Sequence, residues 1–221
     1  MAMMARKFRR PKNKENLEDL EVRGLWKAQA HARGIAEDPH QKISLDAILG
    51  IHKIFFEDAN HEIAGRFRKE GEDIKKLNHI EPPPGRLVKG RMYDFWFDFD
   101  RRFSNIPKHP KSFNRKQQER WFNEILFLAA WIQHQITVIH PFCDGNGRMA
   151  RIMTNVVLCR FDLQPSNIHY EGVSKEKYLS ALVAIDDSQD FEFLKELIGK
   201  SMHDTYKKIY AIQLRFSKRK K

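Results

Sequence analysis

Twelve consecutive residues, His140-Pro-Phe-Cys-Asp-Gly-Asn-Gly-Arg-Met-Ala-Arg151, hold the side chains best suited to chemistry. Gly145 and Gly147 flank Asn146 where an apolar helical pattern resumes. Glycine lets backbone N–H groups turn towards an anion, and a helix N-terminus already favours one. Arg148 and Arg151 fall three apart, on one face near that positive helix end. The helix dipole disfavours cations there, so two arginines make sense opposite strong negative charge, which a polyphosphate supplies. Asp144 adds a carboxylate beside the anion site, the usual way of holding Mg²⁺ together with phosphate oxygens. His140 brings an imidazole whose ordinary pKa suits a general base at neutral pH. A phosphate cradle, a metal ligand and a base together describe phosphoryl or nucleotidyl transfer. Each part alone has a plainer reading: a capping histidine, a turn, a solvated face. Cys143 near His140 hints at zinc, but four ligands are not in sight.

The elements that must position this loop read as helices. Leu17, Leu20, Leu25 and Trp26 give rough helical spacing over residues 16–31. Ser44 is a candidate N-cap for a second helix with Leu45, Ile48, Leu49, Ile51, His52, Phe55 and Phe56 on its apolar face. Met92 to Phe103 is aromatic-rich and predicted helical. Gln117 to about Ile136 is apolar nearly all round in its middle, a central buried helix. After the loop, Met149, Ile152, Met153, Val156 and Val157 resume the helical period, and two further helices are expected near 175–184 and 191–212. Between the second and third helices the pattern changes. Ile74 to Ile80 has loose strand character, Pro82-Pro83-Pro84-Gly85 forces a turn, and Leu87-Val88 reads as a returning strand. The expected class is all-α with one small β-hairpin flap at about 66–92.

The formal charge is +11, with six basic residues and no acid in 1–14 and seven basic residues and no acid in 206–221. The segment between carries 27 basic and 29 acidic residues, so the excess belongs to the ends. Such tails suit RNA, DNA, acidic lipid or an acidic partner, or are simply solvated. No pattern of a dedicated nucleic-acid module accompanies them, so nucleic acid is not expected as the main partner. The longest apolar run, 125–132, is far short of the roughly 20 residues of a membrane span. With no recognisable signal peptide and only two cysteines, Cys143 and Cys159, a cytoplasmic, reducing setting without membrane contact is expected. The domain reading is a basic tail at 1–14, a helical extension at 15–43, a core domain at 44–200, and a helix end with a basic tail at 201–221.

The twelve-residue segment resembles the motif H-P-F-x-(D/E)-G-N-G-R-x-x-R of the Fic family at every specified position. Ile51-His52 and Ala64-Gly65-Arg66-Phe67-Arg68 resemble the family's pattern ahead of its flap, and the resemblance covers roughly 44–200. It implies a helical core with a β-hairpin flap over the active site, and a protein adenylyltransferase that moves AMP from ATP to a Ser, Thr or Tyr hydroxyl with release of pyrophosphate. His140 would be the catalytic base and Asp144 the Mg²⁺ ligand. Gly145, Asn146 and Gly147 would form the anion hole, and Arg148 and Arg151 would contact the β- and γ-phosphates. Phe142 would anchor the loop. The flap residues Ile74, Lys75, Lys76, Leu77, Asn78, His79 and Ile80 would dock the target as an added strand.

One departure concerns control. The inhibitory pattern (S/T)-x-x-x-E-(G/N) of many members has no match; Ser188 to Phe193 comes nearest, with Glu192 followed by Phe193. A small antitoxin-like inhibitor acting in trans, or no inhibition, is therefore expected. Transfer of UMP, phosphocholine or phosphate by the same loop, and a catalytically silent nucleic-acid-binding protein, are the alternatives.

Overall fold

The computed structural model describes residues 14–74, 81–107, 114–167 and 173–218. These form seven helices in the order α1 (Lys14–Glu37), α2 (Leu45–Phe56), α3 (Gly85–Asn105), α4 (Arg115–Ile139), α5 (Asn146–Arg160), α6 (Val173–Ser188) and α7 (Glu192–Lys218). No strand occurs among the described residues, so the class is all-α. No helix among them is long and apolar enough to cross a membrane.

Local chemistry accounts for the helix ends that matter. Ser44 caps α2, its hydroxyl accepting from the Ala47 N–H at 3.1 Å. Asn114 and Gln117 form a reciprocal capping box at the start of α4, each side chain 3.0 Å from the other's backbone N–H. Pro141 ends α4, because a residue before proline is pushed out of the α region. His140 answers by adopting φ 50 and ψ 58, a left-handed conformation uncommon outside glycine.

The centre of the molecule is the packing of α4 against α5, with α1 laid over α5 and α2 packed on α1. Ile125, Leu128, Ala129, Ile132 and Ile136 of α4 meet Met149, Ala150, Met153, Val156 and Val157 of α5 in one buried cluster. The Thr154 hydroxyl crosses to Gln133 Oε1 at 2.9 Å, satisfying polar atoms inside it. Gly24 lets α1 approach α2 closely: a Cβ there would lie 2.1 Å from the Phe55 carbonyl oxygen.

One expectation changes. Leu87 and Val88 belong to α3, which begins at Gly85, and are not a returning strand. Val88, Met92, Phe95, Trp96 and Phe99 are its buried residues, so the period is helical and Met92–Phe103 is its later part. Of the expected docking strand, Ile74 lies in irregular backbone, and Lys75 to Ile80 fall outside the described residues. The last helix, expected near 191–212, runs as α7 to Lys218.

Candidate active site

The loop between α4 and α5 is fixed from within by Asn146. Its amide accepts from the Phe142 N–H and donates to the Phe142 carbonyl, both at 2.8 Å, while the residue is only 3% exposed. The Asn146 side chain therefore closes the loop on itself. Phe142 is fully buried and stacks on the His52 ring, with centroids 3.8 Å apart and planes 6° from parallel.

His52 is a residue whose part the motif alone does not reveal. Its Nδ1 accepts from the Gly65 N–H at 3.1 Å, so the proton sits on Nε2, which donates to the Asp144 carbonyl at 3.2 Å. Burial pushes the His52 pKa down to about 4, with Arg148 and Arg66 adding to that and the Asp144 carbonyl and carboxylate opposing it. A neutral, tautomerically fixed imidazole thus pins α2, the Gly65 turn and the loop together.

Gly145 starts α5 at φ 80, and a Cβ on it would lie 2.6 Å from Phe56 Cε2. Conformation and space both demand glycine. At Gly147 the situation differs. A Cβ would meet nothing nearer than Arg151 Nη1 at 3.6 Å, an ordinary contact. The fold leaves open space there, beside the α5 N-terminus and under the Arg151 guanidinium. The first helical acceptor is the Gly145 carbonyl, taken by Met149 N at 2.8 Å. The N–H groups of Asn146, Gly147 and Arg148 precede it and have no acceptor within the helix.

The two arginines diverge. Arg148 lies over the Phe55 ring at 4.5 Å, pairs with Glu21 of α1 at 2.8 Å, and reaches Asp144 Oδ1 at 3.4 Å. Arg151 stands beside Gly147. The Asp144 carboxylate also accepts from the Gly145 N–H and is about half exposed. Among the described residues no cluster of three or more His, Cys, Asp or Glu could hold a metal ion alone.

His140 Nδ1 lies 3.2 Å from the Thr137 carbonyl. A carbonyl only accepts, so Nδ1 carries the proton and Nε2 keeps its lone pair. Burial first, then the Arg68 charge, holds the His140 pKa below its ordinary value, against the Thr137 hydrogen bond and Asp144. At neutral pH the ring is an uncharged base with its free nitrogen available.

Behind the loop, Arg66 and Glu72 form a bidentate pair at 2.8 and 2.9 Å. That pairing, the Lys69 N–H and the Cys143 thiol hold the Glu72 pKa at about 2 against its burial. Burial and the adjacent Glu72 push the Cys143 thiol up to about 12, which makes it a poor nucleophile.

The Fic/DOC family profile matches residues 42–158, more than half of the chain. The chain belongs to the Fic/DOC family. It is 29% identical over 161 residues to a protein adenylyltransferase Fic of Nematostella vectensis, covering 72% of this chain and 33% of that one. It is 36% identical over 85 residues to a Fido domain-containing protein of Dictyostelium discoideum, covering 36% of this chain and 57% of that one. The chain thus spans about a third of the adenylyltransferases it matches. Among solved structures, Fic-1 of Caenorhabditis elegans superposes with a TM-score of 0.66 at 20% identity, over 97% of this chain and 56% of that one. A Fic domain containing signaling protein of Bacteroides thetaiotaomicron gives 0.66 at 17% identity, over 87% and 73%. These likenesses show a shared Fic fold.

Proposed function

We propose that this chain is a protein adenylyltransferase that moves AMP from ATP to a Ser, Thr or Tyr hydroxyl of a target protein. The observation that carries this reading is the pairing of an uncharged His140, its Nε2 lone pair free, with the open α5 N-terminus at Gly147 beside Arg151. A polyphosphate fits that N-terminus by charge and by space. The names of the relatives point the same way, and a Bartonella tribocorum protein of similar fold, TM-score 0.57, is solved with bound AMPPNP.

In this mechanism His140 Nε2 takes the proton of the acceptor hydroxyl. The freed oxygen attacks the α-phosphorus, the bond from that phosphorus to the oxygen bridging to the β-phosphate breaks, and pyrophosphate leaves with the bonding electrons. The N–H groups of Asn146, Gly147 and Arg148, with the Arg151 guanidinium, stabilise charge building on the phosphates. Arg148 joins them by exchanging Glu21 for phosphate. Asp144 fits Mg²⁺, since one exposed carboxylate beside phosphate oxygens is the usual protein share of such a site. When bound, the ion would neutralise phosphate charge. A target segment would dock along 74–80. Control by a small inhibitor in trans would have to act on this cradle, and the Glu21–Arg148 pair offers a contact inside the chain at the same point.

The test is incubation of the purified chain with Mg²⁺ and ATP, UTP, CTP or GTP in a lysate, with mass spectrometry of modified hydroxyls. AMP labelling is expected, together with a loss of at least ~10²-fold in rate for His140→Ala with ATP binding retained. Labelling by another nucleotide alone, or a fully active His140→Ala, overturns the assignment.

A further inference from the structure

Arg68 is 1% exposed, and among the described residues no carboxylate pairs with it. A guanidinium removed from water costs several kcal/mol unless its donors are used. Here Nε and Nη2 are spent on main-chain carbonyls, while the buried Nη1 has no hydrogen-bond partner among the described residues. Nε donates to the His140 carbonyl at 2.6 Å, and Nη2 to the Ile139 carbonyl at 3.2 Å and the Pro83 carbonyl at 2.5 Å. The Arg68 N–H adds a bond to the Pro141 carbonyl at 2.8 Å.

The first two acceptors lie at the end of α4, where helix carbonyls lack intrahelical donors and a positive charge is favoured. The Pro83 carbonyl lies two residues before α3. It closes the stem of the segment at 69–84, where Gly85 N also donates to Asp73 Oδ1 at 2.6 Å. A Cβ on Gly85 would lie 2.0 Å from the Lys69 carbonyl oxygen, so the two arms of that stem are in close contact. The left-handed backbone of His140 costs about 1–2 kcal/mol for a non-glycine residue and needs outside contacts to persist. Among the described residues the ring itself makes one hydrogen bond, 3.2 Å to the Thr137 carbonyl.

We propose that Arg68 is a positioning residue of the transfer reaction: one guanidinium holds the His140, Ile139 and Pro83 carbonyls, fixing the base and tying it to the stem of the target-docking segment. This rests on the adenylyltransferase reading. Among the described residues the hydrogen bonds of Arg68 reach the base and the stem, and none reaches the α5 N-terminus. Loss of Arg68 therefore separates chemistry from nucleotide binding.

The experiment compares the full chain with Arg68→Gln and Arg68→Lys. It uses thermal melting for the fold, calorimetry for Mg-ATP, the labelling rate at saturating ATP, and ¹⁵N spectra of the His140 ring below the melting temperature. Arg68→Gln is expected to bind ATP within ~2-fold of wild type and to label at least ~10-fold more slowly, in the range of a displaced catalytic group. Its His140 ring should lose the single Nδ1–H tautomer. Arg68→Lys, which keeps the charge but reaches fewer carbonyls, should recover part of the rate. A folded Arg68→Gln with wild-type rate and tautomer overturns the proposal, as does ATP affinity falling in step with rate. Where Arg68→Gln melts below the assay temperature, Arg68→Lys carries the same comparison. A wild-type chain that labels nothing refutes the adenylyltransferase reading instead, and the His140 tautomer then decides the role of Arg68: no change between wild type and variant overturns it.

Discussion

Acidification should weaken the hold on the His140–Arg151 loop through His52. The ring accepts the Gly65 N–H at Nδ1, so its protonation breaks that bond and places a charge in a fully buried site. Its folded pKa of about 4 lies below the ordinary 6.5, so the unfolded chain binds the extra proton and stability rises with pH between those values. Stability is therefore lost as pH falls below about 6.5, and the loss is complete below about 4. Linkage with these two values gives a loss of roughly 1 kcal/mol at pH 6, roughly 2 at pH 5 and roughly 3 at the acid limit. The lowered pKa of His140 acts in the same direction, so a control is required. His52→Gln cannot titrate and keeps a donor for the Asp144 carbonyl. Urea unfolding of both proteins at pH 7, 6 and 5 measures the effect. The variant should be less stable at pH 7 but should close most of the gap by pH 5. Parallel pH dependences, or a His52 ring that titrates near 6.5 by NMR, would refute the reasoning.

Two further perturbations separate the parts of the cradle. Gly145→Ala meets a positive φ and the Phe56 ring, so it should lower stability by about 2 kcal/mol in urea unfolding and abolish labelling. Gly147→Ala finds open space, so its melting temperature should stay near wild type while calorimetry shows weaker Mg-ATP binding; unchanged affinity would remove Gly147 from the cradle. Glu21→Gln should release Arg148 and tighten ATP binding by about 2- to 5-fold, the range of a partly exposed ion pair, and the gain should shrink at high salt. Weaker binding instead would mean that Glu21 orients Arg148 for phosphate.

The division between what spacing reveals and what packing decides follows sequence distance. Helices α2, α4 and α5 are legible because periodicity, the Ser44 cap and the Pro141 stop act within a turn or two. Leu87-Val88 was ambiguous for the same reason: two apolar residues after a proline run fit either period, and the buried stripe continuing to Phe99 makes them helical. The order of His140, Asp144, the glycines and the arginines pointed to the kind of chemistry proposed, because one loop and one helix end would carry all of it. The motif could not show that the Asn146 side chain is consumed in closing the loop, or that Arg148 and Arg151 part ways. Nor could it show what holds the loop. His52 lies 92 residues from Asp144, Arg68 lies 72 from His140, and Glu21 lies 127 from Arg148. In sequence these are a histidine on an apolar face, one arginine among many and a solvated glutamate. Their roles arise only when α1, α2 and the α3 stem close around the loop between α4 and α5 and the start of α5, where buried donors and acceptors must find partners wherever the chain supplies them.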